Sequence, residues 1–337
     1  MHAGKERQLM QANEQIHPLL KVRNLRVEFA TKSSIFSRQK SSVKAVDGIS
    51  FDIKRGETLG LVGESGSGKT TAALAIARLL DTSGGEVQLN NIDLIKLENE
   101  DLRQARTKLQ FIFQDPYSSL NPRKRAEEIV REPLDSLTDF DMAERKQIVD
   151  NLFQSVGLRR EQKKLFPHQF SGGQRQRLGI ARALSTNPEL VICDEAVSAL
   201  DVAVQAQILN LLKDLQANLG LTYLFISHDL GVVKHMCDAV VVMYMGKVVE
   251  HANRDQLFIR PRHPYTKTLL NAVPKLDAAL DVTEVRNQMS KSATENSSVS
   301  GCRFFHRCPV SQPKCKEIIP ELQETQSGHW VACHMIS

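Results

Sequence analysis

The segment Gly63-Glu64-Ser65-Gly66-Ser67-Gly68-Lys69-Thr70 matches the phosphate-loop pattern G-x-x-x-x-G-K-S/T at every fixed position. It follows the apolar run Thr58 to Val62 and precedes Thr71-Ala72-Ala73-Leu74-Ala75-Ile76-Ala77, the strand, loop and helix order that this chemistry needs. Three glycines let backbone N–H groups curl around phosphate oxygens, and the helix start offers its positive end to the same anion. Lys69 is then placed to reach the β- and γ-phosphates, and the Thr70 hydroxyl to bind Mg²⁺. Residues 63 to 71, Thr71 included, form the expected nucleotide-binding run. The plain alternative, a glycine-rich turn without a ligand, does not explain why a strand and a helix flank it so closely.

Two further strands end in groups suited to hydrolysis. Leu190-Val191-Ile192-Cys193-Asp194-Glu195 runs four apolar residues into two acids, as a buried parallel strand does when it delivers carboxylates to a sheet edge. Asp194 is placed for Mg²⁺, and Glu195 to polarise the water that attacks the γ-phosphate. Leu221 to Ser227 is another apolar strand, and His228 after it could contact the γ-phosphate. Alone, an acid pair also serves as a helix cap, and one histidine after a strand is more often structural. Their order behind a phosphate loop favours catalysis.

Between these segments, Phe170-Ser171-Gly172-Gly173-Gln174 opens a helix-forming run from Arg175 to Leu184, a second anion-binding helix start. Together with Gln114 in Phe111-Ile112-Phe113-Gln114-Asp115-Pro116, with Ser198-Ala199-Leu200-Asp201 and with His228, this set resembles the ATP-binding cassette family. The resemblance spans about Leu19 to Leu257. It implies a P-loop α/β core with an antiparallel β-subdomain and a helical subdomain. It also implies that Ser171 and Gly173 close on the ATP held by a facing subunit, that Asp201 belongs to the nucleotide-binding residues, and that Gln114 joins the Mg²⁺ and catalytic set. Phe170 stands where the family usually has Leu, and Ala196-Val197 where it has Pro-Thr; both lie beside the acting groups. An aromatic residue usually stacks on adenine, and Phe29 is the candidate, with core packing as its alternative use.

The elements that must position these groups are readable in outline. Leu20 to Phe29 and Ala45 to Ile53 alternate apolar and polar residues, the pattern of antiparallel strands. Ile148, Leu152, Phe153 and Val156 make one apolar stripe of an amphipathic helix. Asp115 to Arg123 is polar and proline-bounded, a loop. Residues 1 to 18 lack periodicity and are expected to form a mobile tail, and Asn287 to Ser300 a flexible loop.

With 337 residues, 41% of them hydrophobic, the chain can build a sizeable core of about two domains. A net charge of +5 from scattered residues does not indicate a nucleic-acid groove, and Arg123-Lys124-Arg125 and Arg159 to Lys164 read as solvated faces. No apolar run approaches the roughly 18 residues needed to span a bilayer, and no signal-peptide core opens the chain. The expectation is a protein on the cytoplasmic face of the plasma membrane, with membrane contact through partners.

After Leu257 the His263-Pro264-Tyr265-Thr266 run and a cysteine-bearing C-terminus resemble the ATPase subunits of oligopeptide and dipeptide importers, a branch that includes nickel and glutathione importers. That resemblance implies a domain from 258 to 337, two transmembrane permease subunits, an indirect link to a periplasmic solute-binding protein, and pairing of two different ATPase chains. Cys193 and Cys237 stand alone in apolar or helical surroundings and read as inert core residues. Cys302, Cys308, Cys315 and Cys333 cluster in the last 36 residues. Zinc usually draws on closer C-x₂₋₄-C pairs, an all-thiolate iron–sulfur site tolerates wider spacing, and free thiols are the third reading. The resemblance implies a 4Fe-4S cluster on these four; His306, His329 and His334 are candidates for a mixed site. Rival functions are a soluble cassette ATPase of DNA repair or translation, which usually carries two cassettes or long coiled coils, and a non-hydrolysing regulator, which conflicts with Glu195.

Overall fold

The computed structural model describes residues 18–30, 42–272 and 300–335. The expected N-terminal tail up to residue 17, the insertion from Thr31 to Ser41 and the polar stretch from Asn287 to Val299 lie outside the described residues.

The alternating segments near the start form strands β1 (Leu20–Ala30) and β2 (Ser42–Ile53). They pair antiparallel, with Leu20 opposite Ile53. β4 (Gly84–Leu89) pairs on the other side of β1, and β5 (Ile92–Asp93) closes a four-stranded sheet of order β2-β1-β4-β5. Alternation puts Leu20, Val22, Leu25 and Val27 on its buried face.

The second sheet has eight strands in the order β11-β12-β10-β9-β3-β8-β7-β6. Its centre is built from β3 (Thr58–Val62), β7 (Leu190–Asp194), β8 (Thr222–Ile226) and β9 (Ala239–Tyr244), in which every residue is buried. Continuous apolar runs are what a parallel strand covered on both faces requires. β6 (Leu109–Ile112) joins β7 in parallel, and β3 lies parallel to both β8 and β9. The carboxyl ends of β3, β6, β7 and β8 therefore share one edge of the sheet. Helix α1 (Lys69–Ile76) rises from the loop after β3, α2 (Asn99–Lys108) precedes β6, and α6 (Val202–Leu219) and α7 (Leu230–Met236) follow β7 and β8.

Helices α3 (Ala126–Leu137) and α4 (Met142–Ser155) pack with α5 (Gly172–Leu184) into a helical layer. Phe153 and Val156 are fully buried, as the stripe predicts, but the third buried position is Val149, and Ile148 and Leu152 lie at the margin. The helix turns slightly from the expected face because Val149 meets the same core as Phe153, one turn on. Asp115 to Arg123 forms no helix or strand.

β10 (Lys247–Asn253) folds back antiparallel on β9, and α8 (Arg254–Ile259), α9 (Pro264–Asn271) and α10 (Pro313–Glu317) follow. The last strands, β11 (Gln323–Gln326) and β12 (His329–Val331), continue the main sheet: β12 pairs with β10, Glu250 opposite Val331. The boundary expected at Leu257 falls inside α8. Phe304, 2% exposed, packs against Tyr244 of β9 and Tyr265 of α9, with ring centroids 5.3 and 5.4 Å away. Edge and tilted contacts of this kind add to the burial of three large rings.

Candidate active site

The loop after β3 owes its shape to its glycines. Gly63 and Gly68 have φ of +154° and +100°, and a Cβ at either would lie 2.2 Å from the Met243 carbonyl oxygen or 2.3 Å from that of Ala45. Only glycine tolerates both the conformation and the approach. Lys69, 5% exposed, donates through Nζ to the carbonyls of Gly63 and Glu64, both at 2.8 Å. Burial lowers its pKa, against the raising influence of Glu195, Asp194 and Glu64. The loop's own oxygens thus aim the lysine.

Across the cleft, the end of β7 brings the two acids into place. The Thr70 hydroxyl donates to Asp194 Oδ1 at 3.2 Å, which joins two of the three expected Mg²⁺ residues. Burial raises the Asp194 pKa, its largest influence, and the Thr70 bond opposes it. A divalent cation would favour the ionised form at this spot. Glu195 adopts φ +46°, a left-handed conformation that costs a non-glycine residue about 1–3 kcal/mol. Its N–H donates to the Ile226 carbonyl at 3.0 Å, a bond that offsets part of that cost. Glu195 Oε2 accepts from Gln114 Nε2 at 2.8 Å, and Oε1 lies 3.0 Å from His228 Nδ1.

Ser65, Gly66, Gly68, Lys69, Thr70, Thr71, Gln114, Glu195 and His228 thus line one cleft of ≈ 520 Å³, to which β2 adds Ala45. Gly63 and Ser67 support its floor: Ser67 is 3% exposed, and its carbonyl accepts from Gly246 at 2.8 Å.

Four expected residues lie elsewhere. Phe29 is 44% exposed and outside the cleft lining, although its cross-strand partner Val43 is two positions from Ala45. Ser171 caps α5, its Oγ accepting from Gln174 N–H at 3.4 Å. Gly173 lets α5 approach α6, since a Cβ there would lie 2.4 Å from Val204 Cγ1. Asp201 caps α6 by accepting from Val204 N–H at 2.9 Å. The loop that follows Gln114 is tied to α5: Arg175 stacks its guanidinium 3.8 Å above the Tyr117 ring, and Arg182 donates to the Ser119 carbonyl.

Cys193 and Cys237 are buried, and burial pushes both thiols up, as inert core residues require. Burial likewise raises Cys302, Cys308 and Cys333, and each is raised further by neighbouring thiols of the C-terminal four, Cys315 among them in every case. Among the described residues, however, no group of three or more His, Cys, Asp or Glu is placed to hold a metal ion, so the structure does not assemble the expected four-cysteine cluster. His329 pairs with Glu250 and His334 with the Ile318 carbonyl, so neither joins the thiols.

Sequence reasoning missed Arg307 and Tyr265, which both contact Glu64 of the loop. They lie 243 and 201 positions away, and no spacing rule spans such distances.

Among known families, the ABC transporter model matches residues 46–198, and the oligopeptide/dipeptide transporter C-terminal region matches 249–315. The oligopeptide transport ATP-binding protein AppF of Bacillus subtilis is 47% identical over 321 residues, covering 95% of this chain and 98% of that protein. A putative peptide import ATP-binding protein of Brucella ovis is 44% identical, over 94% of this chain and 97% of its own length. Of solved structures, the dimeric ATP-binding cassette MJ0796 in a post-hydrolysis state bound to ADP and Pi aligns with a TM-score of 0.61 and 29% identity, covering 70% of this chain and 98% of its own. Among the described residues no helix is long and apolar enough to cross a membrane. With relatives this similar along nearly its whole length, the chain belongs to the ABC transporter ATP-binding proteins of the oligopeptide/dipeptide type.

Proposed function

We propose that this chain is the ATP-hydrolysing subunit of a peptide importer, attached through transmembrane permease subunits to the cytoplasmic face of the membrane. One observation carries the hydrolytic part: Glu195, held in a left-handed backbone conformation, faces the Lys69 loop across a single cleft with Gln114 and His228 on its two oxygens. The peptide part draws on the relatives' names and the C-terminal match.

Lys69 and the loop amides bind the β- and γ-phosphates, and Thr70, Asp194 and Gln114 hold Mg²⁺, which neutralises phosphate charge when bound. Glu195 orients a water and draws its proton as the water oxygen bonds to the γ-phosphorus and the bond to the bridging oxygen breaks. Gln114 and His228 keep the carboxylate aimed, and His228 is the candidate donor to the γ-phosphate. Ser171 and Gly173 lie away from this cleft in their own chain, and Asp201 beside α6; they complete the pocket of a facing cassette, in this branch a different ATPase chain. Phe29 is the proposed adenine platform.

The four C-terminal cysteines, separated by five, six and seventeen residues, suit an all-thiolate 4Fe-4S cluster better than a zinc ion, which usually draws on closer C-x₂₋₄-C pairs. Cys302, Cys308, Cys315 and Cys333 would hold it, and it would cross-link a segment with a small core of its own.

The deciding experiment measures phosphate release and nucleotide binding with Mg²⁺-ATP. Glu195→Gln is expected to lower kcat by about 10²-fold or more with binding retained. Turnover at the parent rate would remove Glu195 from its role.

A further inference from the structure

Arg307 and Tyr265 lie beyond the ATPase core, and both hold one residue of the phosphate loop. The Arg307 guanidinium grips the Glu64 carboxylate with two parallel bonds, Nη1 to Oε2 and Nη2 to Oε1, each 2.8 Å. The Tyr265 hydroxyl accepts from the Glu64 N–H at 2.8 Å. This is no loose surface bridge: the Arg307 side chain is 13% exposed and lies over the Tyr244 and Phe304 rings, 5.7 and 5.6 Å from their centroids. Tyr265 is fully buried against the same two rings. On its other side, the Glu64 carbonyl receives Lys69 Nζ at 2.8 Å. Residue 64 therefore has its amide and carboxylate clamped by the C-terminal segment while its carbonyl aims the lysine.

We propose that Arg307 and Tyr265 are positioning residues of the nucleotide site, which set the phosphate loop through Glu64 and make triphosphate affinity depend on the docked C-terminal segment. The proposal rests on reading residues 63 to 70 as the phosphate loop. Two effects act in the same direction. A two-pronged arginine–carboxylate pair fixes orientation as well as distance, which a lysine cannot reproduce. It also neutralises a carboxylate that would otherwise repel the triphosphate from the mouth of its own site.

The test uses the full chain, with a fluorescent ATP analogue for binding, Mg²⁺-ATP hydrolysis for turnover, and a melting curve for each variant. Arg307→Ala is expected to weaken binding and raise KM about tenfold while kcat at saturation stays within about twofold, and Arg307→Lys to fall between. Combining Arg307→Gln with Glu64→Gln should recover much of the loss, because the two changes act through one contact. Tyr265→Phe keeps the ring packing and removes only the acceptor, so it should raise KM about threefold without lowering the melting temperature. It decides the matter if Arg307→Ala does not fold. Parent-like affinity and KM in Tyr265→Phe and in the folded Arg307 variants would overturn the proposal, as would a loss confined to kcat. Lys69→Ala separates the two readings: parent-like binding by that variant sinks the phosphate loop itself, whereas lost binding there with parent-like Arg307 and Tyr265 variants sinks only the positioning role.

Discussion

Glu250 of β10 and His329 of β12, 79 positions apart, meet at 2.6 Å between Oε1 and Nε2, with side chains 0% and 1% exposed. The same carboxylate accepts the Arg262 N–H at 2.8 Å and the His263 N–H at 2.9 Å. One buried acid thus fastens the final hairpin to the core sheet and also fixes the turn that leads into α9, the helix of Tyr265. Removing one partner of such a group leaves the others buried without a bond.

Glu250→Ala is therefore expected to cost about 3–5 kcal/mol, because it strands a histidine and two amides. Urea unfolding followed by circular dichroism checks this, with the midpoint moving to lower urea. A loss below about 1 kcal/mol would mean that the network relaxes around water.

His263 offers a test by pH. It is 1% exposed, its Nδ1 accepts from the Tyr265 N–H at 3.0 Å, and burial pushes its pKa down to about 4. A histidine depressed below its unfolded value, about 6.5, contributes stability that is present above pH 6.5 and lost as pH falls through 4. The shift corresponds to about 3 kcal/mol over that window. Melting temperature should fall from pH 6.5 to 4, and less steeply in His263→Asn, which can still accept from the Tyr265 amide but does not titrate. Equal slopes for the two proteins would show that other groups carry the acid sensitivity.

The nucleotide side of the cleft was legible because strand, glycine loop and helix are contiguous, and each acting residue of that run is fixed by its neighbours: Lys69 by Gly63, Asp194 by the strand that ends in it. The strand-end histidine and the acid pair were legible for the same reason. The signature region was less so. Serine, glycine and aspartate at a helix start serve as caps, as close-packing positions and as phosphate ligands, and in the single chain Ser171, Gly173 and Asp201 do the first two jobs. The contacts of Glu64 with Arg307 and Tyr265 were invisible, since they arise only after the sheet brings the two ends of the chain together.

Ser171 tests the two-chain site. It lies outside the cleft lining of its own chain, so Ser171→Arg should leave ATP binding by the isolated protein within about twofold while lowering hydrolysis at least about tenfold through loss of the facing contact. Sedimentation with Glu195→Gln and ATP should show a dimer that the added Ser171→Arg abolishes. A monomer with full activity would remove the facing-chain role. If the natural partner is a different chain, activity rises when both are mixed, and the Ser171 effect then appears in the mixture.

The cysteine site makes the last prediction. Cys302 and Cys315 are already joined through the backbone, the Cys302 N–H donating to the Cys315 carbonyl at 2.7 Å, and the thiols of Cys302, Cys308 and Cys333 are raised by burial and, each of them, by Cys315. A metal group reverses that penalty by taking the thiolates, so binding releases protons and stabilises the segment. Beyond Phe304 the described C-terminal residues bury few large apolar side chains, which is why a cross-link matters there. Protein purified without oxygen is expected to be brown, with about four iron and four sulfide per chain, and to lose both in Cys302→Ser. Because Arg307 directly precedes Cys308, the same substitution should weaken ATP binding in the direction expected for Arg307→Ala, measured with the same fluorescent analogue. One zinc per chain without visible absorption would replace the cluster but keep the cross-link. Absence of any metal under anaerobic purification, with ATP affinity unchanged in Cys302→Ser, would remove both.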